Sequence, residues 1–322
     1  MYKHVLVTGG AGYIGSHMVK MLHSNGIEVT TLDNLSTGHR NAVKYGRFIE
    51  GDLNNSHDLT QLFQSYRFDS VMHFSACSLV GESMLNPDKY FRNNVCGTLN
   101  LLQEMNKHNV KKFIFSSSAA VYGQPNTELI SELAEKKPIN PYGKSKLIVE
   151  LMLEDFATAY SLNSVSLRYF NAAGADSEGE LGERHDPETH LIPNVLKAAN
   201  RSIGPIKLFG NDYNTHDGTC VRDYIHVEDL CNAHLKALSY LGTNTGAFQF
   251  NLGNSKGYSV LDILNAAEAV VGEPIPSEIV GRRPGDPDTL VADSRLAQKE
   301  LNWKPVYTDM KEIIKTAWDW MN

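Results

Sequence analysis

Cysteine is scarce in this chain: 4 residues in 322 (Cys77, Cys96, Cys220 and Cys231), with no C-x-x-C spacing. That argues against a disulfide scaffold or a cysteine-rich zinc module, and it suits free thiols in a reducing compartment. Positive charge is also in short supply. The net charge of −7 leaves no general basic face for a nucleic-acid backbone, so no nucleic-acid partner is expected. No apolar run reaches 18 residues, and no membrane partner is expected. Met1 leads directly into an apolar run and a glycine loop, without the zones of a secretory leader, and the expectation is a cytoplasmic protein. There are 12 histidines but no H-E-x-x-H, and His185 and His190 stand apart in a polar loop, so no metal is expected. Internal repeats and low-complexity tracts are missing as well.

What the chain does have is alternation. Short β-rich runs at 4–9, 28–33, 47–52, 70–76, 112–118 and 164–170 are separated by helical apolar spacing near 13–25, 56–66, 86–108 and 141–160. Near-continuous apolar strands between helices predict an α/β fold, a doubly wound parallel sheet whose sites lie beyond the carboxyl ends of the strands. After Asn171 the pattern becomes a Gly-, Asp- and Glu-rich loop, then short strands and two late helices near 259–271 and 308–321. We therefore expect a cofactor domain over 1–171 and a smaller mixed α/β substrate lobe over 172–322, with strands near 222–253 returning to the first sheet.

The turn after the first strand reads Gly9-Gly10-Ala11-Gly12-Tyr13-Ile14-Gly15, and the second strand ends at Asp33. Glycines between a strand and a helix allow a backbone to approach a pyrophosphate, which then rests on the helix N-terminus. An acid closing the next strand accepts hydrogen bonds from a ribose diol and repels a 2′-phosphate. Together they predict a Rossmann-type NAD site. Asp52, closing the third strand, is either an adenine contact or a helix cap.

A second pattern lies at 139–150, "INPYGKSKLIVE". Asn140 suits an N-cap and Pro141 the first helical position, so Tyr142 and Lys146 share one face of a new helix. The spacing alone is common in helices. It gains meaning beside the three serines that end the fifth strand, because Ser118 is placed to bridge the Tyr142 phenol and a substrate alcohol. Arg222 and Arg283 offer planar forks to phosphate oxygens.

The glycine loop, Ser118 and Tyr142-x-x-x-Lys146 resemble the extended short-chain dehydrogenase/reductase family. The blocks "TGGAGYIGSH", "VGES", "SSSAAVYG", "NPYGKSKL", "LRYFNAAGA", "FGNDY", "DGTCVRDYIHVEDL" and "RRPGDP" resemble its UDP-galactose 4-epimerase branch and run from residue 8 to 287. The resemblance implies bound NAD, a UDP-sugar substrate and a homodimer packed through the helices near 86–108 and 141–160. It extends the cofactor set to Tyr13, Ile14, Asn34, Leu53, Phe74, Ser75, Ala76, Ser78, Asn93, Ser116 and Phe170. On the substrate side it implies Asn171 at the diphosphate, Asp286 at the uridine ribose, backbone near Leu191 and Phe209 at the rest of the nucleotide, and Leu290 beside the sugar C2 substituent. Two positions depart from the family pattern. Ser78 stands where a lysine often helps hold the cofactor, and Leu290 stands where a tyrosine excludes an N-acetyl group.

The implied chemistry is inversion at C4: Tyr142 takes the C4 hydroxyl proton, directly or through Ser118, a 4-keto sugar turns over in the site, and its opposite face is reduced. Holding a phenol of pKa near 10 as phenolate at pH 7 requires about 4 kcal/mol, to which a nearby Lys146 ammonium contributes. Related dehydratases and decarboxylases use acidic groups after the fifth-strand hydroxyl, where this chain has Ala119 and Ala120. Another UDP-sugar epimerase and a non-enzymatic NAD-binding sensor stand as the other readings.

Overall fold

Seven parallel strands run through the centre of the molecule. In this computed structural model, which describes residues 2–125, 127–283 and 286–322, the first six are β1 (His4–Thr8), β2 (Glu28–Asp33), β3 (Arg47–Glu50), β4 (Ser70–His73), β5 (Lys112–Ser118) and β6 (Asn163–Tyr169). The chain then leaves for β7 (Asn171–Ala173), β8 (Ile206–Phe209) and β9 (Val221–His226) before returning as β10 (Ala247–Leu252). The order across the sheet is β10-β6-β5-β4-β1-β2-β3, with every neighbouring pair parallel.

The apolar runs are continuous because both faces of the sheet are covered. Val5 and Val7 face one core, with Met18 and Leu22 of helix Tyr13–Ser24 and Leu230 and Ala237 of helix Val227–Tyr240. Leu6 faces the other, with Leu59, Leu101, Val149 and Leu153 from helices Ser56–Ser65, Gly97–Lys107 and Pro141–Tyr160. Each such side chain contributes roughly 1.5–3 kcal/mol on full burial, so the two cores together hold the sheet and its site-bearing loops in place.

The second lobe has its own core, which includes Leu196, Leu208, Ile263 and Ile313. There β9 pairs with β7, β11 (Gly257–Ser259) and β13 (Thr289–Leu290), while β8 pairs with β12 (Ser277–Val280). This corrects one expectation: of the segment 222–253, only β10 joins the large sheet. The strand Val221–His226 stays in the small sheet, and the next residues turn helical at Val227, where the His226 side chain accepts from the Glu228 N–H and Glu228 and Asp229 occupy the first turn. Helix Leu191–Ala199 is a further addition; its Pro193 is tolerated because it lies in the first turn. The single helix expected near 86–108 is interrupted by a π-helical stretch, Phe91–Cys96. Among the described residues no helix is long and apolar enough to cross a membrane.

Candidate active site

The glycine loop connects β1 to helix Tyr13–Ser24, and each part has a physical reason. A Cβ built on Gly15 would lie 2.1 Å from the Gly9 carbonyl oxygen, so the helix closes on the loop only with glycine there. Gly12 is different. A Cβ there would meet only the Gly9 oxygen, at 3.4 Å, which leaves a cradle on the outer side of the loop. The helix that starts next has no side-chain cap, so its first N–H groups are available to an anion. Behind the loop, buried Asp33 accepts from the N–H of Ala11 (3.0 Å) and Leu35 (2.9 Å). Burial raises its pKa against those two bonds. Exposed Asn34 donates to Asp52 at 2.9 Å. Asp52 does not cap the following helix, because Asn55 does. Burial pushes the Asp52 carboxyl up, but the bonds from Asn54 and Asn34 outweigh it and the net shift is down. These residues fit a dinucleotide: a cradle with free N–H groups for a pyrophosphate, and a carboxylate for a diol.

Ser118 is the last residue of β5 and caps the short turn Ala119–Val121 by accepting from the Ala120 N–H. Asn140 caps helix Pro141–Tyr160 by accepting from the Gly143 N–H at 2.8 Å, which sets Tyr142 in the first turn. The Tyr142 phenol comes beside the Ser118 side chain, which acts on it as a polar neighbour. Lys146, one turn on, is buried; its Nζ donates to the Ser116 carbonyl at 2.8 Å and lies 5.8 Å from the Tyr142 ring centre. One electrostatic expectation needs correction. Burial pushes the Tyr142 phenol up, with Ser118 acting in the opposite direction, and burial brings Lys146 down to about 7. Both groups are thus driven towards their neutral forms, because neither has a fixed opposite charge in contact.

Several supporting residues escaped the sequence reading. Asn94, inside the π-helical stretch, is buried; it accepts from the Cys77 N–H (2.8 Å), donates to the Cys77 carbonyl (2.9 Å) and reaches the Ser145 hydroxyl (3.0 Å). It thereby ties the loop after β4, with Phe74, Ser75, Ala76 and exposed Ser78, to the Tyr142 helix; half-buried Asn93 donates to it. Beneath the same helix, Glu150 and Arg168 form a buried bidentate pair (2.9 and 2.6 Å), which Ser117 and Tyr122 extend to Asn251. Ser116 pairs with the Tyr169 hydroxyl. A polar pair inside an apolar helical stretch, Asn93-Asn94, was the one local signal for any of these.

On the opposite side, the small sheet gathers the nominated substrate residues. Leu290 sits in register with Arg222, and Asn171 with Tyr224. Asn171 donates to the Asp223 carbonyl at 2.9 Å, Arg222 is ion-paired with Asp286, and Arg283 lies over the Phe209 ring at 4.0 Å. Pro284 and Gly285 of the same block fall outside the described residues. Leu290 and Phe170 pack with Val121 and Tyr122, so this group reaches the turn after Ser118. Leu191 opens the helix at 191 and packs on the second core. Gly10 and Leu53 are buried, and Ile14 packs against the first core.

The profile of the NAD dependent epimerase/dehydratase family matches residues 5–253. A UDP-glucose 4-epimerase of Lacticaseibacillus casei is 49% identical over 317 residues, 98% of this chain and 96% of that protein. The crystal structure of UDP-glucose 4-epimerase from Brucella ovis in complex with NAD superposes with a TM-score of 0.95 at 47% identity, covering 98% of this chain and 97% of that one. That of the Bifidobacterium longum enzyme in complex with NAD+ and UDP gives 0.94 at 40% identity, with coverage of 99% and 98%.

Proposed function

The chain belongs to the NAD-dependent epimerase/dehydratase family, and from that membership we propose that it interconverts UDP-glucose and UDP-galactose by inversion at C4, with NAD as its cofactor. One observation carries the reading: the Tyr142 phenol comes beside Ser118 at the carboxyl end of β5, one helical turn from the buried amine of Lys146. The Gly9–Gly15 loop and the uncapped helix start would hold the pyrophosphate. Asp33 would hold the adenosine ribose, and Asn34, Asp52 and Leu53 the adenine side. When bound, NAD supplies a hydride acceptor and donor for the sugar carbon and a positive charge that favours an anionic phenol.

Tyr142 takes the proton of the C4 hydroxyl, directly or through Ser118, and returns it once the 4-keto sugar has turned over. The Ser118 side chain favours the phenolate, and Lys146 adds to this when it is protonated. The turnover requires a firmly held nucleotide and a loosely held sugar. Arg222, Arg283 and Asn171 are suited to the diphosphate, with Arg222 exchanging part of its pairing with Asp286, and Asp286, Phe209 and Leu191 to the rest of the nucleotide. Leu290 would form an apolar wall at the sugar C2 substituent, so UDP-N-acetylglucosamine and its C4 epimer are accepted as well. The lobes divide near Asn171, and two chains pair through the helices at 87–107 and 141–160. The methyl groups of Ala119 and Ala120 transfer no protons, which disfavours dehydration.

In Tyr142→Phe, kcat/KM for UDP-galactose should fall by at least about a hundredfold, while UDP binding measured by calorimetry stays near that of the parent. Turnover within about threefold of the parent would sink the assignment of the base.

A further inference from the structure

The stretch between β7 and helix Leu191–Ala199 reads in sequence as a polar loop with no metal. In the structure it folds back on itself and brings Glu183, His185, Glu188 and His190 together, with one ligand atom from each lying within 4.8 Å of all the others. His185 Nδ1 is 3.4 Å from Glu183 Oε1 and 3.6 Å from Glu188 Oε2. His190 Nδ1 is 3.0 Å from Glu183 Oε1. A four-coordinate ion with bonds of about 2.0–2.1 Å to nitrogen and oxygen sets its ligands roughly 3.3 Å apart, and these three separations, 3.4, 3.6 and 3.0 Å, lie close to that value.

A second observation separates this group from an ordinary acidic surface. The Glu183 and Glu188 side chains are only 7% and 3% exposed. One oxygen of Glu188, Oε1, accepts from the N–H groups of Thr189 and His190 (2.9 Å each) and lies 2.8 Å from His190 Nδ1. The other, Oε2, is buried without a hydrogen-bond partner, and the atom it faces, His185 Nδ1, is also buried and unpartnered. At 3.6 Å the two make no hydrogen bond. Buried polar atoms are rarely left so, and a cation between them would satisfy both.

We propose that Glu183, His185, Glu188 and His190 form a closed, four-ligand site for a zinc ion. Two imidazoles and two carboxylates suit Zn2+, whereas Mg2+ and Ca2+ take six or more oxygens. The two carboxylates balance its charge. With all four positions filled by protein the site is structural, and its place in the fold shows what it secures. His185 meets the Tyr13 ring edge-on at 6.5 Å, and Tyr13 opens the helix after the glycine loop. His190 is the residue immediately before helix Leu191–Ala199. The ion therefore fixes the loop that joins two helix starts, one in each lobe.

The rival arrangement is metal-free, with a protonated His190 paired to both glutamates. To decide, the full chain is stripped with dipicolinate, equilibrated with ZnCl2 and freed of excess metal, and its zinc is counted by plasma mass spectrometry. About one zinc per chain is expected, with a rise in Tm of at least about 3 °C over the stripped protein. Both should be lost in His185→Ala and in the closer-shaped Glu188→Gln. They should persist in His216→Ala, which alters a second histidine–carboxylate group, His216 with Asp217 and Asp262. Less than about one zinc per ten chains after equilibration, or zinc binding that survives both variants, would overturn the site.

Discussion

Leu290 packs with Phe170, Tyr122 and Val121, and its neighbour in register is Arg222, so a single side chain joins the substrate lobe to the turn after Ser118. Enlarging it should therefore be felt by the sugar before it is felt by the fold. An overpacked side chain typically costs about 1–3 kcal/mol, so Leu290→Tyr should lower kcat/KM for the N-acetylated sugar pair by about ten- to a hundredfold and leave the glucose/galactose pair little changed. Negligible parent activity on the N-acetylated pair, or equal losses on both pairs, would rule out the gate. At this scale the sequence was readable wherever chemistry depends on close spacing: Gly9 to Gly15, and Tyr142 with Lys146. Glu150 and Arg168 were hidden because one lies on a helix and the other on the following strand, and only the tertiary structure makes them a pair. Glu183, His185, Glu188 and His190 were hidden for another reason: a loop imposes no period, so their spacing carries no directional information.

Among the elements, helix Pro141–Tyr160 carries the most varied duties. Its first two turns present Tyr142 and Lys146, its apolar face packs Val149 and Leu153 on the sheet, and Glu150 ties it to β6 through Arg168, with side-chain exposures of 2% and 1%. Removing one member of such a pair leaves the other charge buried and typically costs about 3–5 kcal/mol. Glu150→Gln should thus lower the urea midpoint strongly and reduce kcat, since Lys146 lies one turn away; replacing Arg168 by Met in the same variant should restore part of the stability. A loss below about 1 kcal/mol would mean that water reaches the pair. Helices and strands with strong periodicity were legible close to their ends. The helix Val227–Tyr240 was not, although Glu228 and Asp229 mark its first turn, because the β-rich run "VRDYIH" leads into it without a break. The interruption at Phe91–Cys96 had no periodic signature at all.

For the whole molecule, the boundary drawn near Asn171 does not separate the cores. The face of the sheet formed by Val5, Val7 and Val165 is covered in part by Leu230, Ala237, Leu238 and Trp303, all from beyond that boundary. A fragment ending at residue 171 should therefore be poorly soluble or molten, with amide exchange in β5 and β6 much faster than in the full chain; a monomeric fragment with full-chain protection there would show that the first six strands suffice. Strand β10 adds a consequence in time. Nothing pairs with the outer edge of β6 until residues Ala247–Leu252 have been made, roughly 80 residues after Tyr169. At about 5–20 residues per second, the ribosome leaves that edge, and the apolar surface beside it, open for roughly 4–16 s. An unpaired strand edge is a template for another chain, so during synthesis this protein passes through a period in which crowded neighbouring ribosomes compete with its own C-terminal half for β6.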